Sequence, residues 1–356
     1  MMNSRGLTIP FVYQGTGDNY GYRLVEEVLV EKLTERGIDV RVPDADYAWV
    51  ENENVRKIYE KPYKVYDKTF LIMTGAHREF IPKIMSSIDA EKYVMTMWEF
   101  SVLPDIIVEQ IGFTDITLIV PSKHNYKTFK SYFPNTTIFH VPLGYNKKFR
   151  YKKREVNGNF RFLFSGAPAI RKGWYVLGKA FGKAFNMCDP VELYIKSSPN
   201  PDGHEDLFNI GGYKNIIFDM RALSIEELIN LYYSAHVFVF PSFGEGFGLT
   251  PLEAIASGLV TLSSDATGMG DFVNSNTAIK LYTRKRLLDF EGGWSCKCDV
   301  PDASDLVRSL KYVYNNYESV YNRLFPYAAQ YVDETFSWDK TADELIDIMW
   351  GQKSCL

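Results

Sequence analysis

Residues 238–258 read Phe-Val-Phe-Pro-Ser-Phe-Gly-Glu-Gly-Phe-Gly-Leu-Thr-Pro-Leu-Glu-Ala-Ile-Ala-Ser-Gly. An apolar strand runs into a loop with glycines at 244, 246 and 248, and the loop runs into a short helix. The spacing predicts Thr250 as N-cap, Pro251 as first helical residue and Glu253 as the partner in a capping box, with Gly258 as the stop. A helix set directly after a parallel strand points its free N–H groups and positive dipole end at an anion. The glycines let the backbone approach that anion with no Cβ in the way. Glu253 is explained by the capping box alone, whereas Glu245, a carboxylate among glycines, has no comparable structural duty. Two carboxylates flanking a phosphate-sized site suit a ligand with hydroxyls on either side of its phosphates. A nucleoside diphosphate sugar has that shape.

Outward from this stretch, short apolar strands alternate with amphipathic helices, the pattern of parallel sheets covered on both faces. The first series begins with a strand over 7–13 and a loop bearing Gly15, Gly17 and Gly21. A helix with Leu24, Val28, Leu29 and Leu33 on one stripe follows, closed by Gly37. Further strands are predicted at 69–73, 93–97 and 116–120, with a short one ending at Val141-Pro-Leu-Gly144. A second series starts at Phe160–Ser165 and continues through strands at 191–196, 215–219, 236–240 and 259–263, with helices at 173–186, 224–234 and 251–257. Ser224 with Glu227 three residues on is a further capping box. Helix is predicted for 303–330 and 339–350. The fold class is therefore α/β, with two doubly wound Rossmann-like domains facing a central cleft. The expected boundaries are 1–148 for an acceptor-side domain, 155–335 for a nucleotide-sugar domain, and 336–356 for a helix crossing back to the first. In such sheets ligands sit outside the carboxyl ends of the strands.

Composition narrows the function classes. Forty Lys plus Arg against 44 Asp plus Glu give a net charge of −4, too balanced for an electrostatically dominated nucleic-acid binder. Four cysteines in 356 residues do not make a disulfide scaffold. No apolar run approaches the ~20 residues that span a bilayer, and the first residues lack the apolar stretch of a signal peptide. The expected compartment is the cytoplasm, with peripheral membrane contact left open by Lys147-Lys-Phe-Arg-Tyr-Lys-Lys-Arg154, six basic residues in eight. That segment reads either as a solvated hinge or as a surface for an anionic acceptor or lipid.

The 238–258 stretch resembles the Glu-x7-Glu motif of retaining glycosyltransferases of family 4, which have the two-domain GT-B fold. Phe164-Ser-Gly166 followed by Arg171-Lys-Gly-Trp174 looks like that family's phosphate-binding segment, and 224–236 like the helix before the motif strand. Met97-Trp-Glu-Phe100, Val120-Pro-Ser122 and Val141–Gly144 resemble its acceptor-side domain, and Phe336-Ser-Trp338 its returning helix. The resemblance implies that Glu253 hydrogen-bonds ribose hydroxyls and Glu245 those of the donor sugar. Gly246, Phe247, Gly248, Leu249 and Thr250 would meet the diphosphate through backbone, and Gly166 would lie against it. Arg171 and Lys172 would neutralise it, while Gly15 or Gly17 would close on it from the other domain. One departure is Ala167, where many relatives carry Arg. The implied activity is retaining, metal-independent transfer of a hexose from a UDP- or GDP-sugar to a carbohydrate, lipid-linked or other hydroxyl acceptor, with no cofactor beyond the donor. The alternatives are a nucleotide-sugar-binding partner subunit without turnover, or another GT-B enzyme such as an epimerase.

Neither Asp44-Ala-Asp46 nor Asp202–Asp206 has a second cluster at metal-ligand spacing, and Cys296-Lys-Cys298 lacks a partner pair for zinc. For a group that orients or deprotonates the acceptor, His77 and Glu99 both directly follow predicted strands. His124 has a capping explanation and His140 a core one. Base contacts, largely to backbone, are expected near Asp219–Ala222.

Overall fold

The computed structural model describes residues 5–10, 20–44, 46–48, 50–73, 88–112, 115–154, 158–198, 215–290 and 294–351. The chain divides into two compact units, Met1–Gly144 with Phe336–Leu356, and Tyr145–Thr335.

In the first unit, six parallel strands lie in the order β2-β1-β3-β4-β5-β6. They are β1 (Gly6–Thr8), β2 (Asp39–Arg41), β3 (Lys68–Met73), β4 (Glu91–Thr96), β5 (Thr117–Val120) and β6 (Ile138–His140). The helices among the described residues are α1 (Tyr20–Glu35), α2 (Glu53–Tyr59), α3 (Asp105–Gly112) and α4 (Lys123–Tyr132). Val25, Leu29, Val30 and Leu33 of α1 are buried, whereas Leu24 is 37% exposed. The stripe is thus rotated by about one residue from the expected one. Leu71, Val94, Leu118 and Val120 from the sheet pack with Ile107, Ile111 and Phe129 from α3 and α4. The terminal helix of this unit, Trp338–Met349, starts at the Ser337 N-cap and lies along α1. Lys32 and Arg36 reach Asp339 at 3.3 and 3.2 Å. A Cβ on Gly144 would come 2.1 Å from the Trp338 nitrogen, so only glycine allows that approach.

The second unit also has six parallel strands, ordered β12-β11-β10-β7-β8-β9. They are β7 (Phe160–Ser165), β8 (Val191–Lys196), β9 (Ile216–Asp219), β10 (Val237–Phe240), β11 (Val260–Ser263) and β12 (Ile279–Lys280). Helices α5 (Trp174–Ala184), α6 (Ile225–Ser234) and α7 (Leu249–Ser257) connect them. All four residues of β10 are fully buried, which is why its sequence is apolar without alternation. Phe164 and Phe240 stack with centroids 5.6 Å apart. The capping box of α6 forms, Ser224 and Glu227 exchanging side-chain and backbone bonds.

Three expectations differ in this unit. An antiparallel hairpin, β13 (Thr283–Phe290) with β14 (Trp294–Pro301), follows β12 and was not foreseen. The single helix expected over 303–330 is three: α8 (Ala303–Asn315), α9 (Tyr317–Leu324) and α10 (Tyr327–Thr335), the first break at Asn316 and the second at Phe325-Pro326. The basic segment 147–154 is not wholly solvated. Phe149 is buried, and Arg154, 8% exposed, donates to Tyr233 O at 2.8 Å and Ser257 O at 2.9 Å. A guanidinium on the last carbonyl of α7 suits the negative end of that helix.

Candidate functional site

The chain leaves β7 for β8 and β9 on one side, then returns to place β10 on the other side of β7. Strand order therefore reverses between β7 and β10, the place where ligands bind in open parallel sheets, outside the carboxyl ends of the strands. The loops leaving those two strands carry Gly166, Arg171 and Lys172 on one side, and Ser242 to Gly248 on the other.

Arg171 and Lys172 lie in a 3₁₀ turn, Ile170–Lys172, that ends at Gly173 in the left-handed region, φ 70°. A Cβ there would meet Pro241 O at 2.2 Å, so glycine is what allows the turn to sit on the β10 exit. Phe243 N–H fixes the turn by donating to Arg171 O at 2.7 Å. The cations then converge on one carboxylate oxygen. Arg171 Nη1 lies 2.7 Å and Lys172 Nζ 3.1 Å from Glu245 Oε1, and the Ser242 hydroxyl donates to the same atom at 3.0 Å. Arg171 Nη1 also donates to Gly244 O at 3.0 Å. Glu245 is only 7% exposed. Burial pushes its carboxyl up, but the two adjacent cations outweigh this and hold it below its ordinary value. Gly166 abuts the cluster, since a Cβ there would come 3.2 Å from Lys172 Cδ. Sequence reasoning expected Arg171 and Lys172 on a phosphate and Glu245 on a sugar. The structure gathers all three, and Ser242, which that reasoning missed, completes the set.

Helix α7 begins one residue before the expected N-cap. Gly248, at φ 104°, ψ 62°, is the cap, with no side-chain cap bond, so Thr250 lies inside the first turn and no capping box joins it to Glu253. The Thr-Pro-Leu-Glu pattern gives way to Gly248 because the loop must turn through the left-handed region, where a Cβ would also come 2.8 Å from Met269 Cγ. The first-turn amides of Leu249 and Thr250 precede any intrahelical partner, and Pro251 has none to offer. Phe247 is 2% exposed and packs on Phe272 at 5.9 Å, so its side chain is taken up by the core and only its backbone is left to face the loop. Glu253 is half-buried on α7. Its carboxyl is pushed up to about 8 by desolvation, which the Asn146 backbone amide offsets only in part. It makes no ion pair among the described residues. The two motif glutamates thus stand in opposite electrostatic settings.

Two further features border these loops. Lys196, 8% exposed at the end of β8, donates from Nζ to Ser197 O and Arg221 O at 2.7 Å and to Asp219 O at 3.4 Å. Asp219 is in turn held well below the carboxylate range by Arg221, with Tyr194 donating at 2.6 Å. These bonds order the β9 exit loop; the sequence reading missed them, and the signal that could have found them is a lysine at the end of a largely apolar strand. The second feature is a 3₁₀ turn, Thr267–Asp271, after β11. Thr267 Oγ and the Glu245 backbone exchange bonds, and nothing in the sequence marked this contact.

Gly15, Gly17 and His77 lie outside the described residues, as does the 202–206 cluster. Glu99 is half-buried after β4 in the first unit, beside Trp98, whose N–H donates to Asn125 Oδ1 at 2.6 Å. His124 follows the Ser122 N-cap of α4, with Nε2 3.1 Å from Phe100 O, and His140 is half-buried in β6. Cys296 and Cys298 are free thiols on β14. Among the described residues no group of three or more His, Cys, Asp or Glu could hold a metal, and no helix is long and apolar enough to cross a membrane.

Residues 159–289, which contain this whole constellation, match the family described as Glycosyl transferases group 1. The D-inositol 3-phosphate glycosyltransferase of Paenarthrobacter aurescens (strain TC1) is 30% identical over 135 residues, 35% of this chain and 33% of that protein. The serotype-specific mannosyltransferase WbdA of Escherichia coli is 32% identical over 126 residues, 35% of this chain and 13% of that protein. The chain thus spans a third or less of the length of these curated relatives. Among solved structures, the sucrose-phosphate synthase of Thermosynechococcus elongatus superposes with a TM-score of 0.72 at 15% identity, over 97% of this chain and 98% of that one. The fold is therefore GT-B, two Rossmann-like α/β domains each built on a parallel sheet.

Proposed function

We propose that the protein is a retaining glycosyltransferase that moves a hexose from a UDP- or GDP-sugar to a hydroxyl acceptor without a metal. The observation that carries this is the convergence of Arg171 and Lys172 on Glu245 in the loops at the β7/β10 reversal, four residues before α7 begins at Leu249. The Glycosyl transferases group 1 match over the same residues supports the reading, as do relatives named for glycosyl and mannosyl transfer. In the reaction, the acceptor oxygen bonds to the anomeric carbon while the bond from that carbon to the diphosphate oxygen breaks. The acceptor proton passes to the departing phosphate, so no strong protein base is required. Charge grows on the leaving diphosphate, and Arg171, Lys172 and the amides of Leu249 and Thr250 stabilise it there. Arg supplies a fork and Lys a point charge. Glu245 then turns to the sugar hydroxyls and Glu253 to the ribose. His77, with Glu99 as second candidate, would orient the acceptor.

The experiment is release of nucleoside diphosphate from UDP-, GDP- and ADP-hexoses, in EDTA and with added Mg²⁺, beside thermal shifts with each donor. Release above background, unchanged by EDTA, is expected for one base. Thermal stabilisation without release would instead identify a donor-binding subunit. Neither stabilisation nor release with any donor would overturn the proposal.

A further inference from the structure

Thr267 holds a φ of 57°, and it is the one non-glycine residue with positive φ among the described residues. A β-branched side chain is strained in that region, and such strain persists only where surrounding contacts impose it. Here the contacts converge on a single neighbour. Thr267 Oγ accepts from the Glu245 N–H at 2.8 Å and donates to Glu245 O at 2.8 Å, while Gly268 N–H donates to that same carbonyl at 2.9 Å. A Cβ on Gly268 would lie 2.2 Å from Gly246 O, so the two turns approach backbone to backbone. The carboxylate of Glu245 is fixed from the opposite side by Arg171, Lys172 and Ser242. Both ends of the residue are therefore anchored, one through its side chain and one through its peptide groups.

We propose that Thr267 is a positioning residue, kept in a strained conformation because its hydroxyl fixes the Glu245 backbone and so aims that carboxylate at the donor sugar. The role rests on the assignment of Glu245 given above. Thr267→Ser keeps the hydroxyl and is expected to retain turnover within about twofold of wild type. Thr267→Val keeps the shape and loses both bonds; kcat for nucleoside diphosphate release should fall about tenfold or more, with affinity for the free nucleoside diphosphate changed less than about twofold. Thr267→Gly relieves the strain, so its Tm should stay within about 3 °C of wild type while its kcat falls as in Thr267→Val. A residue that merely supports the fold would lose Tm and kcat together. A second arm needs no activity: the Tm change caused by Glu245→Gln is measured once in the wild-type protein and once in the protein already carrying Thr267→Val. Positioning predicts that the two changes differ by more than about 2 °C. Additive Tm changes, or full turnover in Thr267→Val, would overturn the proposal. A wild-type protein that releases nothing from any donor would refute glycosyl transfer instead, and the Tm cycle would still decide on Thr267.

Discussion

Replacing Glu253 with Gln should make the protein more stable above neutral pH while weakening its hold on nucleotide. The carboxyl is half-buried on α7 with no cation beside it among the described residues, and desolvation raises it from an ordinary 4.5 to about 8. Between those values the folded chain holds a proton that the unfolded chain has released. Stability therefore declines as pH rises through the window and levels off above about 8. At ~1.36 kcal/mol per pH unit, a window from 4.5 to about 8 sets a ceiling of ~5 kcal/mol. Half-burial leaves part of the carboxylate's solvation in place, which brings the expected figure to about 2–3 kcal/mol. Gln is neutral at every pH and keeps the shape. Relative to wild type, Glu253→Gln should gain Tm as pH rises from 5 to 9, by about 5–10 °C at 2–4 °C per kcal/mol for a unit of this size. The assay is scanning calorimetry of both proteins at matched ionic strength, with nucleoside diphosphate Kd measured by titration at pH 7. Several-fold weaker binding is expected beside the gain in Tm. Parallel Tm profiles across the range would refute the argument, and a loss of Tm at every pH would show that Glu253 supports the helix after all.

Lys196→Met should cost about 2–4 kcal/mol, because it strands the Ser197 and Arg221 carbonyls that the ammonium now satisfies, whereas Asp219 O keeps the Ser197 N–H; chemical denaturation measures the loss, and an unchanged midpoint would contradict the role of Lys196 in ordering this loop. Gly248→Ala and Gly258→Ala form a matched pair at the two ends of α7, with φ of 104° and 91°. Each should lose about 1–3 kcal/mol of stability, but only Gly248→Ala should weaken binding of inorganic pyrophosphate, by about tenfold or more. Equal affinity losses in the two variants would place the anion elsewhere.

What the sequence disclosed follows from the range of the forces involved. Strands such as Phe160–Ser165 and Val237–Phe240 were legible because a buried parallel strand must be apolar throughout. The Ser224–Glu227 box was legible because all its bonds lie within four residues. The start of α7 was misplaced because Thr-Pro-Leu-Glu satisfies the same local rule, whereas a contact with Met269 and a left-handed turn at Gly248 decide the outcome. The β13–β14 hairpin was missed because 283–290, with three consecutive basic residues Arg284-Lys-Arg286, shows no alternation, although Trp294, Cys296, Cys298 and Val300 do alternate with polar residues. Lys285 faces Asp299 at 2.7 Å across the strands, a pairing visible only once the register is known.

The two motif glutamates show where such reading must stop. In the sequence they differ only in position, one among glycines and one in a helix, and both could as readily be ionised. Their separation is tertiary. Glu245 receives two cations from a turn more than seventy residues earlier, delivered by a glycine that lets the turn rest on Pro241. Among the described residues Glu253 receives the Asn146 amide and no cation, while burial strips part of its water. One carboxyl is drawn below its ordinary value and the other is lifted to about 8. Environments that push paired carboxyls apart assign them different tasks. In the proposed reaction, the ionised Glu245 would keep Arg171 and Lys172 assembled until a diphosphate claims them. Under the proposed function, a proton held on Glu253 at neutral pH would let that group donate as well as accept toward ribose hydroxyls, and would keep a second negative charge away from the phosphates. A Glu253 fully ionised at pH 7, measured by carbon-13 titration of the labelled carboxyl, would remove that division of labour.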